Sequence, residues 1–146
     1  MQNKILIILF IIFNLIIVKA QSNDQISFDV SEIEILDDGN KIIGKDRGTI
    51  TTNNGILIEA DKFEYDKIKN TLKAQGNIKF KDKINNYNFL AEDILYLKNI
   101  EKIQIIGKFE ASIDTNYKLN SKNITIFRNE MVINSDVGAT ILDDKN

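Results

Sequence analysis

Cysteine, histidine, proline and tryptophan are all absent from the sequence. Without cysteine there is no disulfide and no lipoprotein acylation site, so the core must hold by packing alone. Without histidine as well, the chain has neither a nucleophile beside an imidazole base nor the commonest metal ligand. No enzyme, no metal and no cofactor is expected. Acids do occur in pairs, at Asp37 with Asp38, Glu59 with Asp61, and Glu92 with Asp93. Adjacent acids on a strand point to opposite faces and Asp37-Asp38 falls in a turn, so these read as solvated or turn-capping carboxylates rather than a glycosidase pair. No basic patch recommends nucleic acid. The Asn-Ile-Thr at 123–125 fits a glycosylation sequon but reads as strand sequence.

The one long hydrophobic run is at the start. Residues 1–20, MQNKILIILFIIFNLIIVKA, have a short polar opening with Lys4 and an apolar stretch from Ile5 to Val18 interrupted by Asn14. Val18-Lys19-Ala20 follow before Gln21. A membrane span needs about 20 apolar residues, so the shorter run predicts a cleaved secretory signal peptide over 1–20. Residues 21–146 then form one domain, destined for the periplasm or the cell exterior. Cleavage removes two lysines and no acid, leaving 21 acidic against 17 basic residues.

What the chain has in abundance is a repeat. Residues 55–80, GILIEADKFEYDKIKNTLKAQGNIKF, shifted by 31, bring Ile58 onto Phe89, Ala60 onto Ala91, Phe63 onto Ile94, Tyr65 onto Tyr96, Leu72 onto Ile103 and Gly76 onto Gly107. A shift of 61 reaches Leu119, Ser121, Ile124 and Ile126, and a backward shift of 30 reaches Phe28, Val30, Ile33 and Ile35. Four copies of about 30 residues follow one another, the signature of a repeat architecture.

Within each copy, apolar residues alternate at Ile56, Ile58 and Ala60 and then skip three positions to Phe63 and Tyr65. Alternation marks one face of a strand, and the skip marks a bulge or corner that keeps both halves facing one interior. The second half alternates through Leu72, Ala74, Gly76, Ile78 and Phe80, with Gly76 and Gly107 placed for a second bend. Turn signals recur about every 15 residues, at 37–40, 53–55, 67–70, 83–86, 97–99, 114–116, 127–130 and the end of the chain. The window AEDILYLKNIEKI at 91–103 has some helical periodicity but overlays the repeat residue by residue, so it too reads as strand. The prediction is an all-β, consecutive antiparallel meander of long bent strands, folded into two layers around a shared apolar interior.

The run I-x-A-D-x-x-x-Y-D-x-x-x-N-x-L-x-A-x-G-N-I, from Ile58 to Ile78, resembles the OstA-like N-terminal domain family. These are lipopolysaccharide transport proteins with a β-jelly roll, among them LptA and the N-terminal periplasmic domain of LptD. The resemblance spans most of residues 26–142 and leaves open a stand-alone carrier or a detached LptD domain. It implies a periplasmic, non-enzymatic carrier or bridge that shields lipopolysaccharide acyl chains in an apolar trough. It also implies edge-strand pairing to other transport components or head to tail to a second copy. The lipid-facing residues it implies are the inward alternation: Phe28, Ile33, Ile58, Phe63, Tyr65, Leu72, Ile78, Phe80, Phe89, Ile94, Tyr96, Ile103 and Phe109.

Periodicity by itself favours a filled core, as in a secreted β-repeat adhesin or scaffold with no lipid cargo, and only the resemblance reverses that order. A β-helix polysaccharide lyase would instead need clustered charges on one face, and the charges here are scattered. The first strand, around Ile26 to Ile35, and the last, around Met131 to Ile141, carry no proline or inward-pointing charge to blunt them, and are expected to template strand pairing.

Overall fold

The computed structural model describes residues 26–113 and 117–143; the expected signal peptide at 1–20 and the turn at 114–116 lie outside the described residues. The chain crosses the molecule eight times. The first pass is β1 (Ile26–Asp29) and β2 (Glu32–Leu36), the second β3 (Lys41–Lys45) and β4 (Gly48–Thr52), the third β5 (Ile56–Ala60) and β6 (Lys62–Asp66). Three long strands run through without interruption: β7 (Thr71–Asp82), β8 (Tyr87–Leu97) and β9 (Lys102–Ile113). The last two passes are β10 (Tyr117–Lys122) with β11 (Ile124–Phe127), and β12 (Val132–Ser135) with β13 (Ala139–Asp143). Each pass pairs antiparallel with the one before and the one after, and the sheet does not close on itself. No α-helix occurs among the described residues; the segment 91–103 is strand, a 3-10 turn at Lys98–Ile100, and strand. This is the all-β, consecutive antiparallel meander of bent strands that the alternation predicts, and it agrees with the jelly roll the resemblance implies.

Every pass bends in its middle, which divides the sheet into two layers. The first layer holds β1, β4, β5, β10, β13 and the adjoining halves of β7, β8 and β9; the second holds β2, β3, β6, β11, β12 and the other halves. The bend is a bulge. Between Gln75 and Ile78 the register of β7 against β8 shifts, so that Gly76 and Asn77 oppose the single residue Glu92, and Gly107 and Lys108 oppose it from β9. Gly76 has φ of +77° and Gly107 of +85°, conformations that a side chain strains. The acids of the neighbouring pass occupy the space a side chain would need: a Cβ on Gly76 would come 2.6 Å from Asp61 Oδ2, and one on Gly107 would collide with the Glu92 carboxylate. Backbone bonds hold the corner, with Asp61 N–H donating to the carbonyls of Gln75 and Gly76, both at 3.1 Å, and Asn123 N–H to that of Gly107 at 3.1 Å. Ala60 and Ala91, the small residues before the skip, are buried at the bend.

Directly paired residues of antiparallel strands share a face, and following these pairs across the sheet gives two unbroken ladders. In the first layer the ladder runs Phe28, Ile50, Ile58, Phe80, Phe89, Ala111, Leu119, Ile141. In the second it runs Ile35, Ile42, Tyr65, Leu72, Tyr96, Ile103, Ile126, Ile133. Each has one rung per pass, and the middle rungs together with the neighbouring inward residues make a single core cluster. The layers meet, as where the rings of Phe28 and Tyr65 lie 6.4 Å apart across the interior. Phe80 stacks on Phe89 at 4.4 Å, and Phe89 meets Phe109 at 5.2 Å. The outward face is laced with exposed ion pairs such as Arg47 with Glu59 and Asp61, which add little stability individually.

The corner makes a direct prediction. Gly76→Ala should cost more than about 1 kcal/mol, because alanine must adopt a left-handed φ against Asp61. Ala60→Leu should cost about 1–3 kcal/mol by overpacking the bend, and Lys62→Leu on the exposed face should stay within about 0.5 kcal/mol. Urea unfolding midpoints compare the three, and indistinguishable midpoints would contradict the placement of the corner.

Candidate functional site

Among the described residues the interior is a continuous apolar surface. Of the residues the sequence assigns to it, Ile58, Phe63, Tyr65, Leu72, Ile78, Phe80, Phe89, Ile94, Tyr96, Ile103 and Phe109 all belong to the core cluster. Phe28 packs against that cluster, half-buried. Ile33 lies on the same face, paired through Gly44 with Phe63, but is 48 % exposed. The reason is position. Ile33 belongs to the first pass, which is hydrogen-bonded on one side only among the described residues.

Exposure along the ladders follows the same rule. The middle rungs Ile58, Leu72, Phe80, Tyr96 and Ile103 are essentially inaccessible, while three of the four terminal rungs are open, Ile35 64 %, Ile133 47 % and Ile141 63 % exposed, and the fourth, Phe28, is half-buried. The inward apolar face therefore runs the whole length of the roll and emerges uncovered at both ends. Val137, Met131 and Leu142 extend the exposed apolar surface at the last pass.

On the side opposite the corners, the two layers present their turns to each other. There the inward alternation ends in polar residues: Asp82 after Phe80 on the first layer, Arg128 after Ile126 and Glu101 before Ile103 on the second. Their side chains meet across the gap. Arg128 Nε donates to Asp82 Oδ2 at 2.7 Å, Nη2 to the Asn54 carbonyl at 3.1 Å, and Nη1 to Tyr96 Oη at 3.2 Å and to Glu101 Oε2. Asn54 Nδ2 donates to Tyr96 Oη at 2.9 Å and to Glu101 Oε1 at 3.2 Å, and the Tyr96 hydroxyl donates to Glu101 Oε2 at 2.7 Å. The Asp82 side chain is wholly buried and that of Arg128 nearly so. Asp82 also accepts from the backbone N–H of Ile84 and Asn85, so it ties its own turn as well as the opposite layer.

Burial alone would push the Asp82 carboxyl up, but hydrogen bonds from Arg128 and Asn85 outweigh it and hold the group below the ordinary aspartate range. Arg128 is lowered by burial and raised more strongly by Asp82 and its neighbours, so it stays charged. Burial pushes both the Tyr87 and Tyr96 hydroxyls up, and they remain neutral. The Tyr87 hydroxyl is buried beside Asp82 and Arg128. Lys98 is a further buried cation at the second layer's rim, its Nζ 5.6 Å from the centre of the Tyr65 ring. The charged seam is absent from the residues the sequence singled out. The signal existed, since Asp82, Lys98 and Arg128 each occupy an inward position of the alternation, where an apolar residue is the rule.

A depressed carboxylate pKa stabilises the fold above the unfolded value of about 3.9 and loses that contribution as pH falls through the lower folded value. Wild type should therefore lose stability more steeply below about pH 4 than Asp82→Asn does. Thermal unfolding between pH 6 and 2 measures this as the difference between the two proteins, which removes the other carboxylates from the comparison. Parallel curves would show that Asp82 is not held by Arg128.

Neither a known family profile nor a curated protein sequence matches the chain. Among solved structures, it is similar to LptH from Pseudomonas aeruginosa, described as the LptA homologous periplasmic component of the conserved lipopolysaccharide transport device. The match has a TM-score of 0.71 at 10 % identity, and covers 82 % of this chain and 94 % of that one. At that identity the likeness is one of fold, and the fold it establishes for this chain is the LptA-like β-jelly roll.

Proposed function

We propose that this protein is a non-enzymatic periplasmic carrier or bridge in lipopolysaccharide transport, which shields acyl chains inside the roll. The observation that carries this reading is the pair of apolar ladders, continuous through eight passes and uncovered at both ends. A filled core needs no open ends; a conduit does. An acyl chain of a dozen carbons exposed to water costs on the order of 10 kcal/mol at about 0.8 kcal/mol per methylene, so crossing an aqueous space requires such an interior. The jelly-roll likeness to LptH and the signal peptide expected over 1–20 support the same reading. The inward residues from Phe28 to Phe109 are its proposed lipid-facing set.

The partners proposed are lipopolysaccharide through its lipid A acyl chains, and other transport components or a second copy through the free edges. At one end β1 and β2, at the other β12 and β13, are paired on one side only among the described residues. Strand addition there would continue both ladders from one protein into the next. A second reading, a scaffold with a permanently closed core, is favoured by the near-complete burial of the middle rungs.

Two experiments decide between them. A photocrosslinking residue replacing Phe89 in cells should capture lipopolysaccharide while one replacing outward Lys79 should not; equal yields would remove the lipid-facing assignment. For the edge, Val132→Pro and Ile133→Pro place a proline at successive amides of β12, of which the outward one can be replaced without breaking the sheet. The variant that keeps native circular dichroism should lose self-association in sedimentation, or lose capture of other envelope components. If it changes neither, the ends are simply solvated.

A further inference from the structure

The middle of the roll is closed, so a cargo that lies there must be let in, and the structure assigns the place. We propose that the Arg128–Asp82–Glu101 cluster is a lateral gate, a seam at which the two layers part to open the interior from the side. The layers cannot part at the corners, where β7, β8 and β9 run through the bend as continuous chain. They can part only at the opposite rim, with the bulges at Gly76 and Gly107 as hinges. At that rim Arg128, Asp82, Glu101, Asn54 and Tyr96 bond one layer to the other.

The chemistry of this cross-link suits a contact that breaks and re-forms. A buried ion pair adds little net stability, because the attraction it gains is largely offset by the water its charges give up. When the rim opens, Arg128 and Asp82 exchange each other for water, as Asn54 does with Tyr96 and Glu101, at small net change in free energy, whereas an apolar seam of the same size would expose its whole surface unfavourably. The apolar rungs beneath, Phe80, Phe89 and Ile103, then face the gap. Identification of an acyl chain as what passes through rests on the carrier reading; the seam itself does not.

The cysteine-free sequence makes the test direct. Ala74, fully buried between Phe63 and Ile94, becomes the sole thiol in Ala74→Cys. Its labelling by a water-soluble aromatic disulfide reagent should proceed faster than global unfolding permits. Adding Asp82→Leu, Glu101→Gln and Arg128→Met together should slow it about tenfold or more, at an unchanged or higher urea midpoint. If that variant does not fold, Asp82→Asn with Glu101→Gln and Arg128→Gln takes its place with the same expectation. Labelling of Ala74→Cys alone at the global unfolding rate, or at an equal or faster rate when the neutral seam is added, overturns the gate. Uptake of cis-parinaric acid, a fluorescent C18 chain, should slow in parallel with unchanged final occupancy. Uptake at an undiminished rate would send the chain in through the ends and also overturn the gate. If wild type takes up no acyl chain at all, the carrier reading fails and the thiol labelling alone decides the seam.

Discussion

Each strand has to turn a corner without turning its apolar face outward, and the rest of the structure depends on how it does so. Strict alternation through the bend would leave one half of every strand with its side chains on the wrong side. Setting two residues of one strand against one of its neighbour restores the phase, and the left-handed glycines at 76 and 107 make the extra residue cheap to place. The acid opposite, Asp61 or Glu92, fills the space where the glycine lacks a side chain. Because the device recurs along the roll, both ladders stay inward through every pass. Two layers, one interior and two open ends follow from that repetition.

The interior and its rim then divide the work. Apolar burial in the middle rungs supplies the cohesion, as it must in a chain with no disulfide. The rim contributes position: Arg128 reaches Asp82 and the Asn54 carbonyl, 46 and 74 residues away in sequence and on the opposite layer, and so sets how far the layers stand from each other. At the ends, nothing among the described residues covers Ile35, Ile133 or Ile141. Among the described residues the molecule is therefore tight in its middle, polar at a buried seam, and unfinished at its edges.

Most of the architecture was legible in the residues because it is periodic. The shift of 31 that lays Ile58 on Phe89 and Tyr65 on Tyr96 also lays one corner on the next, and the skip from Ala60 to Phe63 places the bend to the residue. The helix-like window at 91–103 resolves as strand for the same reason, since register with the repeat outweighs a local 3.6-residue pattern. Alternation identifies a face but not what covers it, which is why Ile33 shares the inward face yet stands half open. The partnership of Arg128 with Asp82 is set by how the bends bring two distant turns together, a relation that no local pattern encodes. Charges at inward positions were visible, but their being paired was not.

The central claim is that the inward ladders, and no outer surface, hold the acyl chains. Nuclear magnetic resonance of the methyl-labelled protein bound to lipopolysaccharide with 13C-labelled acyl chains tests this most directly. The account predicts intermolecular Overhauser contacts from acyl methylenes to the methyl groups of Ile58, Ile94 and Ile103. Contacts confined to outward methyls such as those of Leu90 and Ile106, with the interior set silent, would contradict it.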